Sequence, residues 1–395
     1  MKDNNNWLLP DGVDESLPEE ALRIENLRRM IIDVLSSWGY RLVIPPMIEY
    51  LESLLAGMGE DLDLQTFKLT DQRSGRAMGV RADITPQIAR IDAHRLPSDD
   101  PQRFCYVGPV VHTQPEKFAG SRNPLQIGAE IFGHKGIESD VEVISLLLEC
   151  LSAAGIPKIT LEVAHMEIFH GICAGQNFDL GCEQKILEAL SKKDKATLCE
   201  LLEQADASEE VLSHLMALIE LNGGISVLKD AKAKLASASS GVQSALEELS
   251  QLSDILTTTI PYLDLHIDLA EMRGYRYHTG IMFAAYTAAA GRAIAWGGRY
   301  DNTGKLLGRE RGATGFSTDL KVLESLLSKG VHETDIVYAP EGYDKDLLKA
   351  MNDCRKRGSI VVQELPNQVG GAANAGCNKH FVKINDLWEI KVISD

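Results

Sequence analysis

The chain has 395 residues, 44% of them hydrophobic and 25% charged, enough for more than one packed domain and a large buried core. Its formal net charge of -17 argues against a protein built to grip nucleic acid, because phosphate contacts supply most of that affinity and need a basic stripe. Seven cysteines without a Cys-x-x-Cys pair fit reduced thiols in the cytoplasm better than a disulfide framework or a zinc site, and no apolar run reaches signal-peptide or membrane-spanning length.

From the N-terminus, residues 7–12 read as an extended arm ending in a turn at Asp11-Gly12. Pro18 then opens a helix. Leu22, Ile24, Leu27, Ile31, Val34, Leu35 and Trp38 recur at helical spacing, Glu19 and Glu20 sit in the first turn where the dipole favours them, and Gly39 stops it. A strand is predicted over 40–49, followed by two short strands, 66–69 and 78–81, joined by a turn at 71–75. Asp83 and Thr85 come next, ahead of Pro86 and an apolar helix. On an extended chain a carboxylate and a hydroxyl two residues apart point the same way, as binding an ammonium group requires. The same pair before proline is also a capping signal, and the sequence leaves both readings open.

Residues 104–111 are mostly β-branched and aromatic, a polar loop with Pro115, Gly120 and Pro124 follows, and 125–132 alternates: strand, loop and strand of an antiparallel sheet. Gln126, Gly128 and Glu130 share one face and Leu125, Ile127 and Ile131 the other, so the first face suits a small ligand. This unit, with Tyr106-Val107-Gly108-Pro109 and Gly128-Ala129-Glu130-Ile131-Phe132-Gly133 in unbroken register, resembles motif 2 of class II aminoacyl-tRNA synthetases, most closely the histidyl-tRNA synthetases. By the same resemblance, the helix and strand of 18–49 are motif 1, through which those enzymes dimerise. Asp83 and Thr85 then stand where the synthetases hold the α-amino group of the substrate, the aspartate in place of a glutamate. The departures are as informative. Where the synthetases carry a Phe-Arg-x-Glu signature whose arginine holds the α-phosphate of ATP, this chain reads Val111, His112, Thr113, Gln114. A phosphoryl transition state needs fixed positive charge, which a guanidinium offers in bidentate form, and neither His112 nor Gln114 replaces it.

Helical period over 137–151 and a strand over 158–165 follow, with His165 and His170 reading as ordinary surface or core histidines. Residues 179–258 contain no arginine, proline or Phe, Tyr and Trp, and run in amphipathic blocks broken at Asn222-Gly223-Gly224 and near 237–241, an all-helical insertion. Fourteen acidic residues against seven lysines between 174 and 260 make it a poor grip for phosphate, which leaves a protein partner or a plain solvated surface. An alternating strand over 262–270 places His266 on its wet side. Next, Arg273-Gly274-Tyr275-Arg276-Tyr277-His278 resembles the histidine-specific signature of the same synthetases, in which the arginine meets the carboxyl end of the amino acid and the tyrosine the imidazole. Gly297-Gly298-Arg299-Tyr300-Asp301 is its companion string, which without the resemblance reads as a tight turn. Residues 312–323 resemble motif 3, a strand running into a helix, but the arginine that stacks on adenine there falls on Val322.

The expected fold is therefore α+β, a class II synthetase-like antiparallel sheet flanked by helices over 1–327, with a helical insertion at 174–260 and a small α/β module at 331–395. The resemblance assigns histidine-binding roles: Asp83, Thr85 and Gln126 for the ammonium, Arg273 for the carboxylate, Glu130 with Tyr277 for the imidazole. An amino-acid pocket kept while both motif arginines are gone resembles the regulatory subunits of short-form ATP phosphoribosyltransferase. That likeness implies a cytoplasmic, non-catalytic homodimer within a hetero-oligomer, which binds and activates a separate catalytic subunit and carries feedback inhibition by L-histidine, without cofactor, metal, nucleic acid or membrane. The alternative is a diverged histidyl-tRNA synthetase-like enzyme that activates histidine with ATP, using Arg122 and Arg276 as substitute cations.

Overall fold

Residues 7–55, 60–114, 120–271, 278–302, 307–327 and 335–393 are described by a computed structural model. The chain divides into two units, Met1–Leu327 and Ser328–Asp395. In the first, the strands in chain order are β1 (Arg41–Val43), β2 (Ile48–Tyr50), β3 (Phe67–Thr70), β4 (Ala77–Val80), β5 (Gln102–Pro109), β6 (Leu125–Phe132), β7 (Ile159–His165), β8 (Asn222–Gly223), β9 (Asp264–Asp268), β10 (Ile281–Thr287), β11 (Ala293–Arg299) and β12 (Ala313–Asp319). Among the described residues nine of them form one sheet in the order β1-β5-β6-β12-β11-β10-β7-β9-β8, while β2, β4 and β3 form a small sheet of their own.

The middle of the large sheet, from β5 across to β7, is antiparallel throughout. Its ends are not: β1 runs parallel to β5, and β7 parallel to β9. A parallel pair needs a long crossover, and the chain supplies one each time, the small sheet with helix Thr85–His94 in the first case and the whole insertion in the second. The strand predicted over 40–49 is broken in two, because Pro45 and Pro46 have no N–H to give a ladder. Their carbonyls are used instead, Pro45 O accepting from Arg81 Nη1 at 2.9 Å and Pro46 O from Gln87 Nε2 at 2.8 Å.

One face of the large sheet is packed. Helices Pro18–Ser37, Ile137–Ala153 and Ser240–Thr259 press Leu27, Ile31, Ile144, Leu147 and Leu249 into a core that holds Ile127, Ile131, Leu161 and Phe316 from the strands. The opposite face holds the polar cleft described below. The insertion forms helices Leu180–Ser191, Lys195–Gln204, Glu209–Glu220, Val227–Lys234 and Ser240–Thr259. Asp179, Asp194 and Ser208 cap three of them by accepting from backbone N–H groups in the first turn. It is not wholly helical, since Asn222 and Gly223 leave the helical pattern to pair with the end of β9. The second unit is a four-stranded sheet, β13 (Ile336–Ala339), β14 (Ile360–Gln363), β15 (Lys379–Ile384) and β16 (Leu387–Val392) in the order β14-β13-β15-β16, with helix Lys345–Lys356.

Candidate functional site

Residues directly opposite each other in a ladder point to the same side of the sheet. One row on the open face therefore holds Tyr106 of β5, Gly128 of β6, Ser317 of β12, Trp296 of β11 and Ala284 of β10. The neighbouring row holds Phe104, Glu130, Gly315, Gly298 and Met282. Glycine recurs because the space above it is used. A Cβ on Gly315 would run into the Glu130 carboxylate, and one on Gly128 would meet the Tyr106 ring at 2.6 Å. Gly297 and Gly298 thus lie within strand β11 rather than in a turn.

Glu130 is the centre of this face. It is 2% exposed and accepts from Thr85 Oγ1 at 3.1 Å, from Tyr106 OH at 3.0 Å and from the Tyr300 hydroxyl. Burial pushes its carboxyl up to about 8, the three hydroxyl donors oppose the shift and the nearby Asp83 charge adds to it. The Tyr106 phenol is raised as well, by its own burial and by Glu130, so it stays a donor. Phe132 packs edge-on against Tyr300, ring centroids 6.3 Å apart, and holds that ring in place.

Beside this cage lies a second network. Asp83 Oδ1 accepts from Gln126 Nε2 at 2.7 Å and from the Thr85 N–H at 3.1 Å, while Gln126 Oε1 accepts from Ile84 N at 3.0 Å. Of the two sequence readings of Asp83 and Thr85, the capping one is partly realised. Asp83 does bind the first N–H of helix Thr85–His94, although residue Ile84 at the cap position contributes no side-chain bond. Thr85 does not converge on the same point as Asp83, because its hydroxyl sits at the helix start and turns to Glu130. The structure brings Asp83, Thr85 and Glu130 together around one cleft, with Gln126 bonded to Asp83. Arg273 and Tyr277 lie outside the described residues, as does Arg276. Sequence reasoning assigns no role to Tyr106 and Tyr300, whose hydroxyls complete the cage.

The positions of the missing cations are otherwise engaged. His112 is buried, with Nε2 2.9 Å from Ala82 O. Val322 packs against the main core. Arg122, named above as a substitute cation, spends Nε on His112 O at 3.0 Å and Nη1 on Asp11 O at 3.1 Å, and stacks over Phe67. Arg299 of the companion string is structural: it is buried, pairs with buried Asp140 at 2.6 Å, and donates to Gly136 O and Ser139 Oγ at 2.9 Å each. Farther along the open face Glu162, His266 and Asp268 approach one another, but Tyr286 donates to Glu162 and Lys193 pairs with Asp268, so both carboxylates already have partners.

The cage has a pH signature. Because the folded-state pKa of Glu130 lies above its unfolded value, the native state holds a proton that the unfolded chain gives up, and stability falls as pH rises through the window from about 4.5 to about 8. Glu130→Gln, which cannot ionise, should flatten that part of a thermal-unfolding profile measured from pH 5 to 9; an unchanged profile would show that Glu130 is not the buried acid.

With this geometry in hand, relatives place the chain. The family model described as "Histidyl-tRNA synthetase" matches residues 12–323, and that described as "ATP phosphoribosyltransferase subunit HisZ C-terminal domain" matches 334–391. The ATP phosphoribosyltransferase regulatory subunit of Thioalkalivibrio sulfidiphilus is 49% identical over 98% of this chain and 100% of its own length. That of Alkalilimnicola ehrlichii is 50% identical over 96% of this chain and 95% of its own. The chain belongs to the ATP phosphoribosyltransferase regulatory subunits. A solved regulatory subunit/histidyl-tRNA synthetase from Bacillus halodurans superposes with a TM-score of 0.82 at 25% identity, covering 95% of this chain and 97% of that one. Family membership fits the absence of arginine at positions 112 and 322: a regulatory subunit has no amino acid to activate. No helix among the described residues is long and apolar enough to cross a membrane.

Proposed function

We propose that this regulatory subunit senses L-histidine in the cleft around Glu130, docks on the ATP phosphoribosyltransferase catalytic subunit, raises its activity and carries feedback inhibition by histidine in the first step of histidine biosynthesis. The observation that carries the reading is the Glu130 cage, a buried acid held by three hydroxyls beside an acid–amide pair. Glu130, held by Thr85 among others, meets the imidazole, Asp83 with its partner Gln126 the ammonium, and, by the synthetase likeness, Arg273 the carboxylate and Tyr277 the ring. An amino acid lacking the matching group leaves a buried polar partner unpaired, which is the strongest available basis for selection. Regulation then requires only that histidine bind one state of the assembly better than another. Leu22, Met30, Leu42 and Ile44 are exposed on or next to the first helix and β1 and suit an interface between two copies of the chain within the assembly.

The competing reading, activation of histidine with ATP, loses Arg122 to its backbone and ring contacts. Reconstitution tests the proposal. Mixed with its catalytic partner, the wild-type chain should raise phosphoribosyl transfer and histidine should lower it again. Glu130→Gln should keep the activation and shift the inhibition to histidine concentrations tenfold higher or more, about 1.4 kcal/mol of lost binding. Activation without any response to histidine in the wild type would contradict it.

A further inference from the structure

Trp296 is the exposed residue of β11, all six of its strand neighbours being buried, and its indole borders the cleft together with Asp83, Thr85, Glu130 and Ser317. The floor around it is small: Ser317 on one side, Ala284 on the other, and Gly128, Gly298 and Gly315 beyond. We propose that Trp296 is the specificity-determining wall that limits this cleft to a free imidazole amino acid and shuts out derivatives extended at the carboxyl group. The inference rests on the histidine-sensing reading above and says which form of the ligand is accepted.

In the row of Tyr106 and Trp296 only β6 and β12 lie between the two rings, so their backbones stand roughly 14 Å apart, three strand spacings. Tyr106 leans across β6, since its hydroxyl reaches Glu130 at 3.0 Å and its ring occupies the place of a Cβ on Gly128. The open width left is that of β12 at Ser317, because the Glu130 carboxylate fills the space above Gly315 and the His278 ring that above Gly298. A ligand with its ammonium at Asp83 and its ring at Glu130 has one substituent left, the carboxyl group. Tyr106 takes the side of β5 and β6 and His278 the place above Gly298, so that group points across β12 at Ser317 toward Trp296. A free carboxylate stops short of the indole, whereas an amide or ester with a bulky group, or an acyl nucleotide, runs into it.

Titration calorimetry on the full chain with L-histidine, L-histidinamide and L-histidine benzylamide separates size from charge, because the two amides have lost the same carboxylate charge. The wild type should bind histidine, and should bind histidinamide at least about tenfold more tightly than the benzylamide, the scale at which a pocket rejects added apolar bulk. Trp296→Ala should bring the two amides within about threefold of each other, and Trp296→Phe, which keeps a ring, should preserve most of the gap. Trp296→Leu serves as a second shortened variant should the alanine chain not fold. Equal binding of both amides by a wild type that binds histidine overturns the wall alone, as does a gap unchanged in the shortened variants. Failure of the folded wild type to bind histidine overturns the sensing reading and the wall with it.

Discussion

Replacing Glu130 with alanine is expected to weaken L-histidine binding by roughly 2–3 kcal/mol, about thirty- to more than a hundredfold, the usual scale for a buried hydrogen bond to a charged partner. The effect comes from both sides of the contact. The ligand loses the group that pairs with its ring, and the hydroxyls of Thr85, Tyr106 and Tyr300 lose the acceptor they share. Glu130→Gln keeps the volume and offers one acceptor oxygen, but cannot carry the charge that an imidazolium calls for, so it should fall between wild type and alanine. The fold should survive both changes at neutral pH, because burial already disfavours the ionised form of Glu130. Calorimetry beside circular dichroism checks this, and an affinity within twofold of wild type in both variants would move the ring of the ligand elsewhere.

Arg299→Ala should be the most damaging single change to stability outside the hydrophobic core, by about 3–5 kcal/mol, because it strips a buried carboxylate of its cation. Asp140 is pushed up by burial and held down chiefly by Arg299, so the alanine variant must protonate it or leave it charged in a dry site. The same guanidinium ties the end of β11 to the start of helix Ile137–Ala153 through Gly136 O and Ser139 Oγ. Replacing both Arg299 and Asp140 with leucine should recover much of the loss, since no unpaired charge remains. Scanning calorimetry of the two variants beside wild type decides it. A single variant that unfolds within a degree or two of wild type would make the pair incidental.

How much of this could be read from the sequence depended on whether the information was local. The alternation of 125–132 sufficed to put Gln126, Gly128 and Glu130 on one face, because strand periodicity is a property of consecutive residues. Helical blocks in the insertion were legible for the same reason. The cage was not, since it depends on register between distant strands. Tyr300 reaches Glu130 across 170 residues, and Tyr106 does so because it pairs with Gly128 rather than with its neighbour. Gly297-Gly298 looked like a turn because two glycines usually provide backbone freedom; here they provide space, Phe283 crowding one and His278 the other. β8 is only Asn222 and Gly223, too short for any period to show, and its pairing is set by where β9 ends. Pro45-Pro46 was the one local signal that the predicted strand over 40–49 had to stop.

The proposed cleft recognises histidine without activating it. Histidine-dependent exchange of labelled pyrophosphate into ATP tests that most directly, on a preparation of the chain already shown to bind histidine. No label above background in ATP is the predicted result; label entering ATP at a rate that rises with histidine would contradict it.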